Sequence, residues 1–299
     1  MNHIIESQQF DQKFINKIFA LADSLEKKKS SPLKGKIMAS LFYEPSTRTR
    51  FSFESAMLHL GGSVITTENA KEFSSAAKGE TLEDSIRIID NYADVIVLRH
   101  YEEGASRRAA TVSEVPIINA GDGTGQHPTQ ALLDLYTIKK ELKKIDGLTV
   151  ALVGDLKHGR TIRSLTYLLG KYKNMKIYFV SPKALQVGED IKDYLTRHKV
   201  HFEEIEDLEK IIGDIDVLYQ TRIQKERFKK PKEYLKFKGC YQIDSRLVKK
   251  MKAKSIIMHP LPRVDEILTE VDTSPQAAYF KQAAYGLFIR MALLKYLLG

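Results

Sequence analysis

The sequence contains one cysteine, Cys240, among 299 residues. A lone cysteine cannot form an internal disulfide, so a reducing compartment is expected, and such a residue is typically a small buried hydrophobe without a catalytic role. Long hydrophobic runs are also absent, because no stretch approaches the roughly 18 consecutive apolar residues of a membrane span. The first residues, Met1 to Glu6, lack the basic start and apolar stretch of a signal peptide. These absences predict a cytoplasmic protein with no membrane association.

Acidic residues are outnumbered: 38 Asp and Glu stand against 47 Lys and Arg, which gives a net charge of +9. Such a balance suits anionic partners, either nucleic acid or small anionic metabolites. The lysine-rich runs at residues 26–29 and 139–144 mix signs or lie on predicted helical faces. Neither run interleaves aromatic side chains as a groove for a nucleic-acid strand would. We therefore expect small anionic substrates and no nucleic-acid partner.

Short apolar runs alternate with segments of helical periodicity, which is typical of α/β architecture with parallel sheets. Hydrophobic residues make up 43% of the chain, and its length fits two domains, each a parallel sheet flanked by helices. We predict a first domain over residues 1–146 and a second over 147–282. The apolar tail at 276–298 is predicted to form one helix, and the C-terminal helical segment 283–299 is predicted to return to the first domain. The predicted strands are 36–42, 63–66, 94–99 and 116–119, then 148–153, 176–180, 200–202, 216–219 and 255–258.

The segment Ser46-Thr47-Arg48-Thr49-Arg50 follows the first predicted strand and opens a predicted helix. Pro45 disfavours helix before this point, and Ser or Thr is a good N-cap residue. A helix N-terminus offers unpaired N–H groups and the positive end of the helix dipole, so cations there are unfavourable unless an anion joins them. Because Arg can bind phosphate oxygens bidentately, this segment predicts a phosphate site.

The same segment resembles the carbamoyl-phosphate signature of the aspartate and ornithine transcarbamylase family. His127-Pro128-Thr129-Gln130, after a strand and a glycine-rich turn, resembles the family motif whose His and Gln contact the carbamoyl group. Arg99 ends a predicted strand and resembles the Arg that the family places on the phosphate and the carbonyl oxygen. Taken alone, such a His is more often structural, and such an Arg is a surface charge. The resemblance implies that carbamoyl phosphate is bound by Ser46, Thr47, Arg48, Thr49, Arg99, His127 and Gln130.

The segment from Ser74 to Thr81 is rich in small residues and, on the sequence alone, indicates a flexible linker before a helix. It also resembles a loop that, in transcarbamylases of the aspartate type, enters the active site of a neighbouring subunit. The resemblance implies that Ser74 and Lys78 touch the phosphate, and that Lys78 also touches the second substrate. It further implies a homotrimer with active sites shared between subunits.

Two segments of the second predicted domain place arginines after strands. Gly154 to Thr161 lacks the G-x-G-x-x-G fingerprint, so nicotinamide binding has little support. Its Arg160 matches the family position that holds one aspartate carboxylate. Thr221 to Arg227 resembles the signature of the aspartate type, which implies that Arg222 holds the other carboxylate and that Gln224 orients the substrate.

The segment from Met258 to Glu266 contains two prolines around Leu261, which restrict the backbone and allow a cis bond. In the family this loop offers main-chain carbonyls to the substrate amine and the carbamoyl NH2, which implies that Leu261 and Pro262 bind carbamoyl phosphate and that Leu261 also binds aspartate. Enzymes of the ornithine type carry a cysteine where this chain has Pro260. The resemblance, which covers essentially the whole chain, therefore favours aspartate.

The implied reaction is transfer of a carbamoyl group from carbamoyl phosphate to aspartate, an early step of pyrimidine biosynthesis. The catalytic candidates are Arg48, Lys78, Thr49, Arg99 and His127, of which the last three would stabilise the oxyanion. The proton acceptor stays open between the departing phosphate and Lys78. The sequence has no cluster with metal-ligand spacing, so neither metal nor cofactor is expected. Another transcarbamylase, a non-catalytic homologue and a nucleic-acid-binding module are the alternatives, and a separate regulatory chain is left open.

Overall fold

The structure, a computed structural model, describes residues 2–28, 30–73, 78–223, 234–237 and 239–299. The chain divides into two compact units. Unit 1 comprises Met1–Leu133 and Ala283–Gly299, and unit 2 comprises Asp134–Gln282. The division falls inside a helix, Pro128–Leu142, whereas the boundary at 146–147 expected from the sequence stays a prediction.

Unit 1 is built on a four-stranded parallel sheet in the order β2-β1-β3-β4. The inner strands β1 and β3 are almost wholly buried, because helices cover the sheet, and their sequences are mostly apolar. The edge strand β2 is mostly exposed. The elements in chain order are α1 (Gln12–Lys27), β1 (Ile37–Phe42), α2 (Thr47–His59), β2 (Ser63–Glu68), α3 (Ala70–Phe73), α4 (Leu82–Ile89), β3 (Val95–His100), α5 (Ala105–Val112), β4 (Ile117–Asp122) and α6 (Pro128–Leu142), which continues into unit 2.

Unit 2 is built on a five-stranded parallel sheet in the order β7-β6-β5-β8-β9. Its core includes Val153, Leu218 and Ile257 from three neighbouring strands, all fully buried. The elements in chain order are β5 (Thr149–Val153), α7 (Arg160–Leu169), β6 (Lys176–Val180), α8 (Glu189–Arg197), β7 (His201–Ile205), β8 (Val217–Gln220), α9 (Ser245–Val248), β9 (Ile256–Met258) and α10 (Tyr279–Leu298), whose larger part belongs to unit 1.

The C-terminal helix α10 is mostly apolar and lies in unit 1 from Ala283 onward. Tyr296 packs edge-on against Phe14 of α1, with ring centroids 5.1 Å apart. Arg290 donates a hydrogen bond to Ser52 of α2 at 2.8 Å. The predicted fold class, two parallel-sheet domains flanked by helices with a C-terminal helix returning to the first, is confirmed.

Each sheet reverses its strand order at one place. In unit 1 the chain runs from β1 to β2 on one side and then to β3 and β4 on the other, so the reversal lies between β1 and β3. In unit 2 it lies between β5 and β8 for the same reason. Open parallel sheets bind ligands beyond the carboxyl ends of the strands at such reversals. The segments after these four strands are therefore where a site is expected.

Cys240 is half-buried rather than buried, because it follows a turn at Gly239 rather than lying in a strand or helix. Within the described ranges, no helix is long and apolar enough to cross a membrane, and no group of His, Cys, Asp and Glu has the arrangement of a metal site.

Candidate active site

The predicted phosphate segment lies immediately beyond β1, at the start of α2. Ser46 is the N-cap residue of this helix, as predicted, but its side chain makes no capping hydrogen bond. The first helical hydrogen bond runs from Arg50 N–H to the Ser46 carbonyl at 3.1 Å. The preceding N–H groups lie at the open helix end, and the first turn contains no acidic residue. This end of α2 is chemically suited to an anion.

The two arginines of this segment differ in their surroundings. Arg50 is paired with Glu68 of β2 at 2.9 Å and lies 3.8 Å from Glu54. Arg48 has no carboxylate partner among the residues that the structure describes. Its side chain is exposed overall, but loss of solvent around the guanidinium lowers the pKa of Arg48. Of the two guanidiniums, Arg48 is the one suited to an anionic ligand, whereas Arg50 holds α2 to β2.

Arg99 occupies the carboxyl end of β3, across the strand reversal from the start of α2. Its guanidinium lies 3.5 Å from the Glu44 carboxylate, which precedes the phosphate segment. It also donates to the backbone carbonyl of Ala120 in β4 at 3.4 Å. Only 15% of the side chain is exposed. Arg99 is thus held against the same sheet edge as Glu44, where the sequence placed it.

His127 and Gln130 lie where β4 leads into α6. Pro128 is the first residue of the helix, and the His127 carbonyl accepts the N–H of Ala131 at 3.1 Å. The His127 side chain is buried, with Nδ1 at 3.5 Å from the Thr129 hydroxyl oxygen. Gln130 and Thr49 are buried as well. The structure therefore places each of these predicted residues beyond a strand of the unit 1 sheet.

Asp122 is a supporting residue that sequence reasoning missed. It ends β4 and is buried, and its carboxylate accepts the N–H of Gln126 at 2.7 Å and of Gly104 at 3.0 Å. Gln126 is held a second time, because its amide oxygen accepts the N–H of Ser7 at 2.9 Å. Asp122 therefore ties the turn before His127 to the turn that follows β3. The aspartate after a strand in a glycine-rich turn was the only signal for it.

In unit 2, Arg160 is the first residue of α7, which follows β5. The first turn of this helix also lacks acidic residues, so Arg160 places a cation at a positive helix end. Asp155 is fully buried and accepts the N–H of His158 at 3.0 Å, which shapes the turn before Arg160. Arg48 likewise lies in the first turn of α2, which also contains no acidic residue.

Arg222 lies two residues beyond β8, on the other side of the strand reversal, and is half-buried. Thr221 donates both its N–H, at 2.8 Å, and its hydroxyl, at 2.9 Å, to the carbonyl of Val153 in β5. Gly154 has φ +116°, and a Cβ there would lie 2.3 Å from the Thr221 carbonyl oxygen. The turns that carry Arg160 and Arg222 therefore approach closely, and only glycine at position 154 permits it.

The loop beyond β9 contains a cis peptide bond between Leu261 and Pro262, which the sequence allows. Leu261 is in the left-handed region at φ +55°, and its N–H donates to Nδ1 of His259 at 2.7 Å. Nε2 of His259 lies 2.8 Å from Glu266, which is buried beside it. Burial alone would raise the pKa of Glu266, but hydrogen bonds from His259 and from the N–H of Val264 outweigh it and hold the pKa below its usual range.

Two predicted residues, Ser74 and Gln224, lie outside the described residues. Lys78 is described and its side chain is exposed. The roles of Ser74, Gln224 and Lys78, like those of the other predicted site residues, stay predictions.

Two family models match the chain. Residues 2–140 match the model described as "Aspartate/ornithine carbamoyltransferase, carbamoyl-P binding domain". Residues 146–297 match the model described as "Aspartate/ornithine carbamoyltransferase, Asp/Orn binding domain".

Named relatives give the same family at high identity. Aspartate carbamoyltransferase 2, chloroplastic, of Pisum sativum is 60% identical over 304 residues, which cover 100% of this chain and 79% of the pea protein. The aspartate carbamoyltransferase catalytic subunit of Methanocaldococcus jannaschii is 54% identical over 303 residues, covering 100% of this chain and 98% of that protein.

Solved structures are similar over the whole length as well. The catalytic subunit of the M. jannaschii enzyme matches with a TM-score of 0.92 at 54% identity, covering 99% of this chain and 98% of that one. The Trypanosoma cruzi enzyme in complex with N-(phosphonacetyl)-L-aspartic acid matches with a TM-score of 0.95 at 42% identity, covering 100% and 96%. The chain therefore belongs to the aspartate/ornithine carbamoyltransferase family, as a member of its aspartate carbamoyltransferases.

Proposed function

We propose that this chain transfers the carbamoyl group of carbamoyl phosphate to the amino group of L-aspartate, yielding N-carbamoyl-L-aspartate and phosphate. The observation that carries this function is the pair of arginines, Arg48 and Arg160, each in the first turn of a helix at a strand reversal. At both helix ends the N–H groups of the first turn and the positive end of the helix dipole favour an anion. One substrate is a phosphate and the other a dicarboxylate, and full-length relatives named as aspartate carbamoyltransferases support the assignment.

In unit 1, Arg48 and the open N–H groups of α2 bind the phosphate, together with the hydroxyls of Ser46 and Thr47. Arg99 reaches both phosphate and carbonyl oxygen. The hydroxyl of Thr49 and the ring of His127 donate to the carbonyl oxygen, and the side-chain oxygen of Gln130 accepts from the carbamoyl NH2. The low exposure of these last three side chains makes such hydrogen bonds stronger than they are in water.

In unit 2, Arg160 and Arg222 bind the two carboxylates of aspartate, since a guanidinium matches a carboxylate bidentately. Gln224 orients the substrate, and the main-chain carbonyls of Leu261 and Pro262 accept from the amine and the carbamoyl NH2. The close approach of Gly154 to Thr221 supports a joint role for the two arginines, because it brings the turns that carry them together.

The chemistry is attack of the neutral aspartate amine on the carbonyl carbon. A C–N bond forms, the carbonyl oxygen becomes a transient oxyanion, and the bond to the phosphate oxygen then breaks. Thr49, Arg99 and His127 stabilise the oxyanion, and removal of one such donor typically lowers turnover about 100- to 1,000-fold. The amine proton passes to the departing phosphate, with Lys78 as the alternative acceptor. Neither metal nor cofactor enters this sequence of steps.

The working unit that we propose is a homotrimer in which Ser74 and Lys78 act in a neighbouring subunit's site. Exposed apolar side chains on α2 and the edge strand β2 support a subunit interface there: Phe51 is 54% exposed, Leu58 60% and Ile65 43%. Sedimentation equilibrium should give three times the chain mass of 34.1 kDa. Mixed trimers of Lys78→Ala and Arg48→Ala chains should regain activity that neither variant has alone. An active monomer would contradict this assembly.

Relatives named as catalytic subunits support a separate regulatory chain as a partner. A cytoplasmic location and a role in pyrimidine biosynthesis complete the proposal.

Carbamoyl transfer by the purified protein tests the function. With carbamoyl phosphate and L-aspartate, we expect N-carbamoyl-L-aspartate and phosphate in equal amounts, without added metal or cofactor. Arg48→Ala should abolish the reaction at wild-type substrate concentrations. Phosphate release that does not depend on aspartate, or no product from a trimeric preparation, would contradict the proposal and favour a non-catalytic homologue.

A further inference from the structure

Five buried polar side chains of unit 2 form a continuous chain of hydrogen bonds, which we call the Asp134 network. Tyr219 donates to one carboxylate oxygen of Asp134 at 2.7 Å, and Gln282 donates to the other at 2.6 Å. The Gln282 amide oxygen accepts the backbone N–H of His259 at 2.9 Å, and His259 Nε2 lies 2.8 Å from Glu266. None of the five side chains is more than 6% exposed.

The backbone sets the direction of each hydrogen bond at His259. Because the N–H of Leu261 can only donate, Nδ1 of His259 must be unprotonated to accept it at 2.7 Å. Nε2 therefore carries the proton and donates a hydrogen bond to the Glu266 carboxylate. The remaining Glu266 oxygen accepts the N–H groups of Val264 and Asp265 at 3.0 and 3.1 Å. The imidazole is thus held in one tautomer and links the two arms of the loop beyond β9.

The network reaches the three segments of unit 2 to which substrate roles are assigned. His259 binds Leu261 directly. Tyr219 is the third residue before Arg222, and its hydroxyl also interacts with Thr161, the neighbour of Arg160. The buried hydrogen bonds therefore link β8, just before Arg222, to the loop after β9, and the Tyr219 hydroxyl brings Thr161 next to this network.

Leu261 shows why such support is needed. At φ +55° Leu261 occupies a region that residues with a Cβ rarely adopt. This conformation costs roughly 1–3 kcal/mol and persists only where the surrounding structure holds it. The described contact that holds its N–H is the His259 ring. Burial of two carboxylates and an imidazole is itself unfavourable, and apolar side chains of similar volume often fill such space equally well. A role beyond stability therefore fits the network better.

We propose that the Asp134 network is a positioning device, in which the Glu266–His259 pair holds the Leu261 and Pro262 carbonyls in place for the aspartate amine. This proposal rests on the function proposed above. His259 and Glu266 act through the Leu261 backbone, so they are positioning residues rather than catalytic residues.

Substitution of His259 tests the proposal. His259→Ala removes the acceptor for Leu261 N–H, whereas His259→Asn keeps one, because an Asn oxygen accepts the N–H two residues on. We expect His259→Ala to lower kcat/KM for aspartate about 100-fold, the usual effect of a small misplacement, and His259→Asn to recover most of that loss. The inhibition constant for inorganic phosphate, whose ligands lie in unit 1, should change less than about 2-fold.

A matched control is available on the surface. His201 is 63% exposed and pairs with Glu203 at 3.0 Å, so His201→Ala removes the same kind of pair without the network. His201→Ala should leave both kcat/KM for aspartate and the inhibition constant for phosphate unchanged. If His259→Ala does not fold, Glu266→Gln and His259→Asn test the positioning role in its place. The amide that Glu266→Gln introduces cannot accept on both sides, so we expect reduced kcat/KM for aspartate with phosphate inhibition retained.

Three outcomes would overturn the proposal. They are unchanged kcat/KM for aspartate in the folded variants, an equal loss of kcat/KM in His259→Ala and His259→Asn, and a weakening of phosphate inhibition by the same factor as kcat/KM. Hydrogen exchange of the Leu261 amide gives a readout that does not require activity. It should be slow in the wild type and in His259→Asn and fast in Glu266→Gln. Absence of carbamoyl transfer by the wild type would refute the proposed function, whereas unchanged exchange would refute the positioning role.

Discussion

The carboxylate of Asp122 accepts the N–H of Gln126 at 2.7 Å, one residue before His127 enters α6. Its second oxygen accepts the N–H of Gly104 at 3.0 Å. Because Asp122 is buried, both hydrogen bonds are shielded from water. The backbone before His127 is therefore fixed from two sides, although it belongs to a glycine-rich turn.

Asp122→Asn should lower kcat for carbamoyl transfer about 10-fold and also lower Tm. Asn accepts on one side only, so its NH2 would oppose a backbone N–H, and an unsatisfied buried donor costs roughly 1–3 kcal/mol. Steady-state kinetics and thermal unfolding measure the two effects. The control is Asp84→Asn, whose carboxylate is 58% exposed. Wild-type kcat in Asp122→Asn would show that this turn does not position His127.

Substitutions of the two arginines at the start of α2 should have different effects, one on phosphate binding and the other on thermal stability. Arg48→Ala should weaken inorganic phosphate binding roughly 10- to 100-fold, the value of one or two charge-assisted hydrogen bonds, with little change in Tm. Arg50→Ala should mainly lower Tm, since it removes the ion pair with Glu68. Isothermal titration and thermal unfolding test this division. Equal phosphate affinity in the two variants would be inconsistent with it.

Gly154→Ala should destabilise unit 2 and raise KM for aspartate. An added Cβ would meet the Thr221 carbonyl oxygen at 2.3 Å, and the φ of +116° is unfavourable for alanine. The turns that carry Arg160 and Arg222 would have to separate. Gly213→Ala is the control, because a Cβ there would meet its nearest neighbour at 3.6 Å. A Gly154→Ala protein with wild-type Tm and KM would contradict this assignment.

His100 should make stability depend on pH. Burial lowers the pKa of His100 below its ordinary value of 6.5, and the Glu102 N–H donates to Nδ1 at 3.0 Å, which requires that nitrogen to be unprotonated. The unfolded chain then binds the proton more readily than the folded one. The free energy of unfolding should be fully present above about pH 6.5 and decrease as pH falls toward the folded pKa.

Chemical denaturation of wild type and His100→Phe across pH 5 to 8 measures this effect. The variant keeps a ring beside Tyr43 and Tyr101 but cannot titrate, so its free energy of unfolding should fall less between about pH 6.5 and 5. His59→Asn, at an exposed position, should retain the wild-type slope. Identical slopes in wild type and His100→Phe would contradict the prediction.

Much of the fold follows from local sequence signals. Most of the strands are buried apolar runs, and each strand was located to within about three residues. Pro45 and Ser46 identified the start of α2, and the prolines around Leu261 identified a segment in which a cis bond is allowed. These features depend on residues that are neighbours in the chain.

Other features depend on partners that are distant in sequence. Whether Arg48 or Arg50 is available for an anion depends on Glu68, which lies on the neighbouring strand. Tyr219 and Asp134 are 85 positions apart, and the strand reversals become visible only once the sheet order is known. A prediction from the sequence could identify the arginines of the site. It could not identify the carboxylates that form ion pairs with arginines or position them, because those carboxylates are distant in the sequence.

Acceptor choice tests the central claim most directly. Carbamoyl transfer from carbamoyl phosphate to L-aspartate and to L-ornithine should be compared at equal concentrations, with product quantified for each amine. Arg160 and Arg222 favour a dicarboxylate and repel a second amino group, so we predict product with aspartate alone. Efficient transfer to ornithine would contradict the roles of Arg160, Arg222 and the loop at Leu261, while leaving the carbamoyl-phosphate residues of unit 1 in place.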